Sequence, residues 1–192
     1  MPSSFAKKLL VNSSYQLFSK RKVAIAKNPV SDFSKKTIST REREIRKFMS
    51  SGGSFKPIRE IRSDNLFDIY SDLYRARRNK SVSDPELNKN FFKEYHHNFK
   101  GEIMMMNDEP IAMQLLLSVE NGSSIFVDYI NIGYKPNSEI NSLGTIMMWR
   151  NLSKLNSMAA GLNKNLYFSF GHMSGDYKER WCMPESVGRS LI

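Results

Sequence analysis

The 192-residue sequence predicts an α/β fold of the α+β kind, in which a mixed sheet carries helices on both faces. Three strand-like segments within residues 101–134 are joined by short turns, which is typical of an antiparallel meander. A helical segment then lies between the third of these strands and a fourth, and this order indicates a strand–helix–strand crossover. Helical periodicity within residues 34–99 supplies further helices to cover the sheet.

The first part of the chain predicts an arm or strand pair and then a helix. Residues 1–30 alternate short apolar pieces with Ser, Asn and Lys, and they form either one or two strands or a basic arm. Residues 34–51 have helical spacing, and Gly52 and Gly53 end the helix. Its apolar stripe consists of Ile38, Ile45, Phe48 and Met49, and its basic side of Lys36, Arg43 and Lys47. The next segment, SFKPIREI, is a predicted strand.

Two more helices are predicted before the meander. The first has Ser63 as its N-cap and Asp64 in its first turn. It ends in the basic run RARRNK, where cations suit the negative end of the helix dipole. The second runs from Asp84 to Phe99, with Pro85 at its first position.

The second half of the chain supplies most of the sheet. The strand segments GEIMMM, PIAMQLLLSV and SSIFVDYINIGY are separated by NDE and ENG. A helix then runs from Leu143 to Ala160 and is closed by Gly161. The strand NLYFSF and a last helix within DYKERW follow. We therefore divide the chain into a basic arm or strand pair, residues 1–30, and a single lobe, residues 31–192.

The net charge of +10 is concentrated in the first part of the chain. Residues 1–80 contain 19 Lys and Arg residues against 7 Asp and Glu residues, whereas residues 81–192 contain 10 against 12. This asymmetry indicates that residues 1–80 bind an anionic partner, which is an acidic membrane surface, a phosphorylated ligand or a nucleic acid such as tRNA. The alternative is that these basic residues form a solvent-exposed surface that binds no partner.

Other features of the sequence limit the cellular location and the kinds of site that we expect. Cys182 is the single cysteine, so no intramolecular disulfide forms and a reducing compartment is expected. No apolar run approaches the roughly 18–20 residues that span a bilayer. We expect a cytoplasmic protein, peripheral at the inner face of the cytoplasmic membrane if its basic residues bind lipid. The neighbouring His96 and His97 cannot face one metal ion, and no metal site is expected.

Four segments together resemble the GNAT superfamily of acyltransferases, and within it the FemABX-like subgroup. They are KKTISTREREIRKFMSSGG, GEIMMMNDEPIAMQLLL, SLGTIMMW and FSFGHMSGDYKERW. The likeness is strongest to the macrophage-inducible antimicrobial-peptide-resistance proteins of enteric bacteria. It implies a GNAT-like lobe over residues 31–192 and a role in resistance to cationic peptides. Because FemABX-like proteins usually carry two lobes, it also implies a natural short form, a homo-oligomer or a missing second lobe.

The resemblance implies where an acyl donor lies. In the superfamily the donor occupies the gap between two diverging parallel strands, here SSIFVDYINIGY and NLYFSF. Its phosphates rest on the N-terminus of the intervening helix, where free N–H groups and the helix dipole favour an anion. The corresponding residues are Asn141, Ser142, Leu143, Gly144 and Thr145.

The donor class stays open between an acyl-CoA and an aminoacyl-tRNA. Glu139 stands where the superfamily has Arg or Gln, and Ser142 stands where it has Gly. An acid repels a pyrophosphate, which weakens the case for coenzyme A.

The resemblance also gives roles to two neighbours in DYKERW. Tyr177 is placed like the tyrosine that protonates a departing thiolate, a general-acid role. Lys178 is placed like the lysine that stabilises negative charge during acyl transfer. The alternative is structural, with the tyrosine capping the core and the lysine in solvent. Asp128 interrupts an apolar strand, so it is a candidate base if it faces the cleft and a solvated residue if it does not.

Three functions are therefore considered. The first is a peptide-resistance protein at the cytoplasmic membrane that transfers an acyl or aminoacyl group to an envelope component or a cationic peptide. The second is an aminoacyl-tRNA-dependent transferase. The third is a non-catalytic binding module that has kept the GNAT fold.

Overall fold

The computed structural model describes residues 22–136, 140 and 142–186, which form one eight-stranded sheet with helices on both faces. The strands are β1 (Lys22–Ala26), β2 (Gly53–Pro57), β3 (Phe99–Lys100), β4 (Glu102–Met106), β5 (Glu109–Glu120), β6 (Ser124–Tyr134), β7 (Asn165–His172) and β8 (Cys182–Ser186). The helices are α1 (Lys35–Ser50), α2 (Ser63–Arg78), α3 (Pro85–Glu94), α4 (Leu143–Gly161) and α5 (Asp176–Trp181), with short 3₁₀ turns at Ile58–Glu60 and His96–Asn98.

The strand order confirms the predicted fold class. The order is β2-β4-β5-β6-β7-β1-β8, with β3 paired to β5. Strands β4, β5 and β6 form the antiparallel meander. Strands β6 and β7 are parallel and are joined by α4, which makes the predicted crossover. All other pairs in the described sheet are antiparallel.

Two hydrophobic clusters hold the helices on opposite faces of the sheet. Helices α1 and α4 contribute Phe48, Trp149 and Leu152 to one cluster, which also contains Phe168 of β7. Helices α2 and α3 contribute residues such as Leu66 and Phe92 to the other cluster. Burial of apolar side chains on both faces provides the main driving force for this arrangement.

The helix boundaries differ from the predictions where tertiary contacts outweigh local signals. The predicted N-cap Ser63 lies inside α2, and Arg62 occupies the cap position. The predicted helix from Asp84 to Phe99 ends at Glu94, because Phe99 is buried and pairs with Leu117 of β5. Gly161 is the last residue of α4 and does not follow it. Met49, expected on the apolar stripe of α1, is 53% exposed.

Two strands at one side of the sheet depend on pairing partners far away in sequence. Strand β1, from the segment expected to be an arm or strand pair, lies between β7 and β8, and its Ala24 is fully buried. This strand is therefore part of the lobe sheet, whereas residues 1–21 lie outside the described residues. Strand β8 was not predicted. It is an edge strand, where Pro184 is tolerated.

Candidate functional site

The parallel strands β6 and β7 separate halfway along β6. They pair from Ser124 with Asn165 to Asp128 with Ser169. Beyond this point residues 129–134 of β6 pair with β5, while β7 continues beside β1. The strands therefore diverge at their carboxyl ends, which is where ligands bind in many α/β sheets. The gap that the resemblance implied is present.

Two aromatic rings lie where the strands part. The ring of Tyr129 stacks on that of Phe170, with centroids 5.0 Å apart and an angle of 13° between the planes. Burial raises the pKa of Tyr129 well above its usual range, so its hydroxyl stays protonated. This hydroxyl is a neutral group that can donate a hydrogen bond to a ligand.

A cavity of about 420 Å³ occupies the opening, and we call it the splay cavity. Its walls come from the diverging end of β6, the first turns of α4, helix α5 and Arg77 of α2. The volume lies in the range of small-molecule sites. The lining residues from β6 and the loop after it are Tyr129, Ile132, Tyr134, Lys135, Pro136 and Ile140; those from the α4 end are Ser142, Leu143, Gly144, Thr145 and Met148; those from α5 are Tyr177, Arg180 and Trp181.

The N-terminus of α4 faces this cavity. The carbonyl of Ser142 accepts hydrogen bonds from the N–H groups of Thr145 and Ile146, at 2.8 and 3.0 Å. Within residues 22–136, 140 and 142–186, the N–H groups of Leu143 and Gly144 have no hydrogen-bond acceptor. Free amides at the positive end of a helix dipole favour an anion. The predicted contact residue Asn141, and Glu139 with it, lie outside the described residues.

Gly144 lines the cavity without a neighbour that excludes a side chain. A Cβ atom at this position would lie 3.7 Å from Cδ1 of Ile132, which is ordinary van der Waals contact. An alanine would therefore fit the fold, but its methyl group would occupy cavity space beside the free amides.

Three basic side chains line the cavity, and the described lining includes no acidic side chain. Arg180 is exposed and makes no ion pair within the described residues. Lys135 is paired with Glu109 at 2.9 Å. Arg77 donates a hydrogen bond from Nη1 to the carbonyl of Ile132 at 2.7 Å, and its guanidinium lies 5.1 Å from the ring centroid of Tyr134.

The sequence pattern did not predict the place of Arg77. It belongs to the RARRNK run, which was explained by the helix dipole and counted among the basic residues 1–80, but was not assigned to the donor site. Close packing of α2 against β6 brings it to the cavity. A Cβ atom on Gly133 would lie only 2.7 Å from Cβ of Leu73, so the glycine is needed for this approach. In the sequence, the only indication that a helix packs closely against β6 is that Gly133 lies within a strand of otherwise larger residues.

Tyr177 and Lys178 are adjacent but occupy different surroundings. Tyr177 is 55% exposed and lines the splay cavity. Lys178 is buried, does not line the cavity, and donates from Nζ to the carbonyls of Phe170 and His172 at 2.6 and 2.5 Å. These carbonyls belong to β7 beyond its last pair with β6. Lys178 therefore satisfies backbone groups that have no partner in β6, and its catalytic role stays a prediction.

Burial affects the titration of two neighbouring groups. Burial lowers the pKa of Lys178, and the negative charge that Cys182 would carry acts in the opposite direction. Burial raises the pKa of Cys182 to about 12, so its thiol is protonated and unreactive at neutral pH.

Asp128 does not line the splay cavity. It is exposed and forms the last β6–β7 pair, with Ser169. Successive side chains of a strand point to opposite faces, so Asp128 lies on the face opposite Val127 and Tyr129. Both of these neighbours pack in the cluster that contains α4. Its position fits the solvated alternative better than the base.

The sequence profile of the Mig-14 family matches residues 6–190. The chain belongs to the Mig-14 family. The match covers both the splay cavity and the basic helix α1. Among curated protein sequences, none matches this chain significantly.

Solved structures share the architecture of this Mig-14 family member at low sequence identity. L-PGS from Bacillus licheniformis matches with a TM-score of 0.51 and 14% identity, over 89% of this chain and 61% of that chain. A conserved protein of unknown function from Bacteroides thetaiotaomicron matches with a TM-score of 0.53 and 11% identity, over 83% and 53%. A GCN5-related N-acetyltransferase from Kribbella flavida matches with a TM-score of 0.40 and 13% identity, over 88% and 55%.

This Mig-14 family chain spans between about half and three fifths of the length of those structures. At such identities the likeness concerns the fold alone. The diverging β6–α4–β7 unit beside the meander makes that fold GNAT-like. The FemABX-like subgroup stays a prediction. No helix in the described ranges is both long and apolar enough to cross a membrane.

Proposed function

We propose that this Mig-14 family protein is an acyltransferase that binds the phosphate groups of an acyl donor in the splay cavity. One observation carries the proposal. The N-terminus of α4, Arg77 and Arg180 all line the same opening between diverging parallel strands. Backbone amides at a helix N-terminus and guanidinium groups are both strong phosphate ligands.

The proposed acyl transfer requires one proton donor, and Tyr177 of the splay cavity is the residue that we propose for this role. An amine or hydroxyl of the acceptor attacks the acyl carbon, and the bond from that carbon to the donor's sulfur or ribose oxygen breaks. The acceptor loses its proton to solvent. Tyr177 gives its hydroxyl proton to the departing atom and regains one from water. We expect the hydroxyl of Tyr129, which also lines the cavity, to hydrogen-bond the bound donor.

Two glycines of α4 provide a matched test of donor binding. Gly144→Ala adds a methyl group beside the free amides, whereas nothing lies within 4 Å of a Cβ atom on Gly161. We expect calorimetry with an acyl-CoA to show micromolar binding that weakens about tenfold or more in Gly144→Ala and stays unchanged in Gly161→Ala. Equal affinities in all three proteins would place the donor elsewhere.

The same titration distinguishes the two donor classes. An aminoacyl-tRNA that binds while coenzyme A thioesters do not would assign the donor to the tRNA class. Its affinity should fall linearly on a log–log plot against salt, because phosphate contacts release counterions.

We also propose that α1 holds the protein against an anionic membrane surface. Its exposed cations are Lys35, Lys36, Arg43, Arg46 and Lys47. Its two acids are engaged, since Glu42 accepts a hydrogen bond from Trp149 and Glu44 pairs with Arg41. Each basic side chain near an acidic bilayer contributes about 1 kcal/mol. Cosedimentation with acidic but not neutral vesicles, reduced in an Arg43→Ser/Arg46→Ser variant, is the expected result.

The biological role that we propose is resistance to cationic antimicrobial peptides, with an envelope component or the peptide itself as acceptor. The support is the sequence resemblance together with a donor cavity and a basic face. Cells that express the protein should survive a cationic peptide better than cells that express Gly144→Ala at equal abundance. Equal survival would show that peptide resistance does not depend on ligand binding in the splay cavity.

A non-catalytic binding module is the second candidate, and the position of Lys178 favours it. The amine expected to stabilise developing charge is bound to the carbonyls of Phe170 and His172. Donor binding without product, under conditions in which a stable fold is verified, would support this candidate over the transferase.

A further inference from the structure

A second cavity, of about 620 Å³, lies near the other end of α4. We call it the β3–β4 groove. Its walls are Pro57 and Arg59, residues 96–97 and 99–102, and residues Lys154, Leu155 and Met158 of α4. Leu155 and Met158 follow Gly144 by 11 and 14 residues on α4, which is roughly 16–21 Å along the helix axis. The groove is therefore separate from the splay cavity.

The charge of the groove favours an anion. Arg59, Lys100 and Lys154 line it, and Glu102 is the one acid among its described lining residues. Glu102 is 3% exposed, and its two oxygens bind Arg150 at 2.6 Å and Lys154 at 2.5 Å. Its charge is thus neutralised inside the protein. Within the described residues, Arg59 and Lys100 have no carboxylate partner.

The ion pair with Glu102 also fixes one cation at the groove. The ammonium of Lys154 is held by the buried carboxylate, although the side chain remains half exposed. Arg150 in turn packs over the ring of Phe55, with its guanidinium carbon 4.7 Å from the centroid. A cation that is held in place loses less conformational entropy when a ligand binds.

The rest of the wall combines His96 and His97 with apolar side chains, which a site for a free inorganic anion would not need. Phe99 and Leu155 form buried parts of the wall, and the partly buried Met158 lies beside them. Methionine adapts its flexible side chain to irregular apolar ligands. Phe99 is 2% exposed, so its ring offers no platform on which a nucleic-acid base could stack.

We propose that the β3–β4 groove binds one anionic phospholipid, with the headgroup phosphate on Arg59, Lys100 and Lys154. The first part of an acyl chain lies against the partly exposed Met158, which packs beside the buried Leu155. The volume suits a ligand of drug size, so the rest of the chain extends out of the groove. This site is independent of donor binding in the splay cavity.

Two methionines make the site observable by nuclear magnetic resonance. With ¹³C-methyl methionine, Met158 reports on the groove and Met148 on the splay cavity. The probe is monomeric dihexanoyl-phosphatidylglycerol, compared with dihexanoyl-phosphatidylcholine and glycerol 3-phosphate. We expect a saturable shift of the Met158 methyl signal with phosphatidylglycerol and little shift of Met148. The other two compounds should bind about tenfold more weakly or worse.

Charge-matched variants complete the test. Arg59→Ala/Lys100→Ala should weaken binding by about tenfold or more, because hydrogen bonds to the charged phosphate are lost. Lys89→Ala/Lys93→Ala removes the same charge from exposed positions of α3 and should leave the affinity within about twofold. If the first pair impairs folding, the single exposed change Arg59→Ala, compared with the single change Lys89→Ala, gives the same charge-matched comparison.

Several results would overturn the proposal. Equal loss of affinity in both pairs would indicate nonspecific attraction. A shift of Met148 instead of Met158 would place the lipid in the splay cavity. Equal binding of glycerol 3-phosphate would show an anion site without lipid selectivity.

Discussion

Tyr129 stacks on Phe170 one residue beyond the last pair of β6 and β7, with ring centroids 5.0 Å apart. These are the two residues that would form the next pair if the parallel ladder continued. Aromatic pairs of this kind contribute about 0.5–1.5 kcal/mol beyond their buried area. The stack therefore connects core stability with the shape of the splay cavity, because Tyr129 also lines that cavity.

Truncating the buried ring should destabilise the fold. Phe170 is 4% exposed, so Phe170→Ala is expected to lower the free energy of unfolding by about 3–5 kcal/mol. Tyr129→Phe keeps the ring and should cost less than about 1.5 kcal/mol. Urea unfolding measures both values. A loss for Phe170→Ala no larger than that for Tyr129→Phe would mean that the stack is not a structural part of the divergence.

Lys178 should be important for stability whether or not it is catalytic. Lys178→Met removes the ammonium donor from the carbonyls of Phe170 and His172, and the latter keeps only the longer hydrogen bond from Ser174 Oγ among its side-chain donors, so we expect a loss of about 1–3 kcal/mol. The exposed neighbour serves as control, since Tyr177→Phe should change stability by about 0.5 kcal/mol or less. Transfer activity that survives in Lys178→Met would exclude a direct role of the amine in the reaction.

Glu102 should make stability depend on acid pH. Burial raises its pKa, but hydrogen bonds from Arg150 and Lys154 and their charges outweigh burial and hold the pKa below the ordinary 4.5. The unfolded state therefore binds its proton at higher pH than the folded state does. The stabilisation is present above pH 4.5 and is lost as the pH falls through the lowered folded pKa.

The measurement is urea unfolding at a series of pH values. The stability difference between the wild type and Glu102→Gln should be constant at neutral pH and shrink below pH 4.5. Glu120→Gln, an exposed acid paired at 3.4 Å, is the control and should show little of this dependence. A pH-independent difference would contradict the lowered pKa of Glu102.

Gly133 should control the position of Arg77. Gly133→Ala forces a methyl group against Leu73 and should cost about 1–3 kcal/mol of stability. Helix α2 would move away from β6 and take Arg77 with it, so donor binding should weaken as well. Gly122→Ala is the matched control, because nothing lies within 4 Å of its Cβ position. If a folded Gly133→Ala protein binds the donor with unchanged affinity, Arg77 does not contribute to donor binding in the splay cavity.

Much of the fold was predictable because its signals are local. The apolar stripe of α1, the short turns of the meander and the crossover helix α4 follow from residue spacing alone. Strands β1 and β8 were unclear or missed because each depends on a partner distant in sequence. Similarly, burial of Phe99 against β5 ended the predicted third helix early.

The sequence by itself determined the order of elements, the basic first half and the helix N-terminus at Leu143, Gly144 and Thr145. Only the tertiary structure decided which charged groups share the splay cavity. It brought Arg77 there through the contact at Gly133, bound Lys178 to carbonyls of β7, and turned Asp128 to the other face. These outcomes depend on strand register and on the point where β6 and β7 part. Both are set by long-range packing, which residue spacing does not encode.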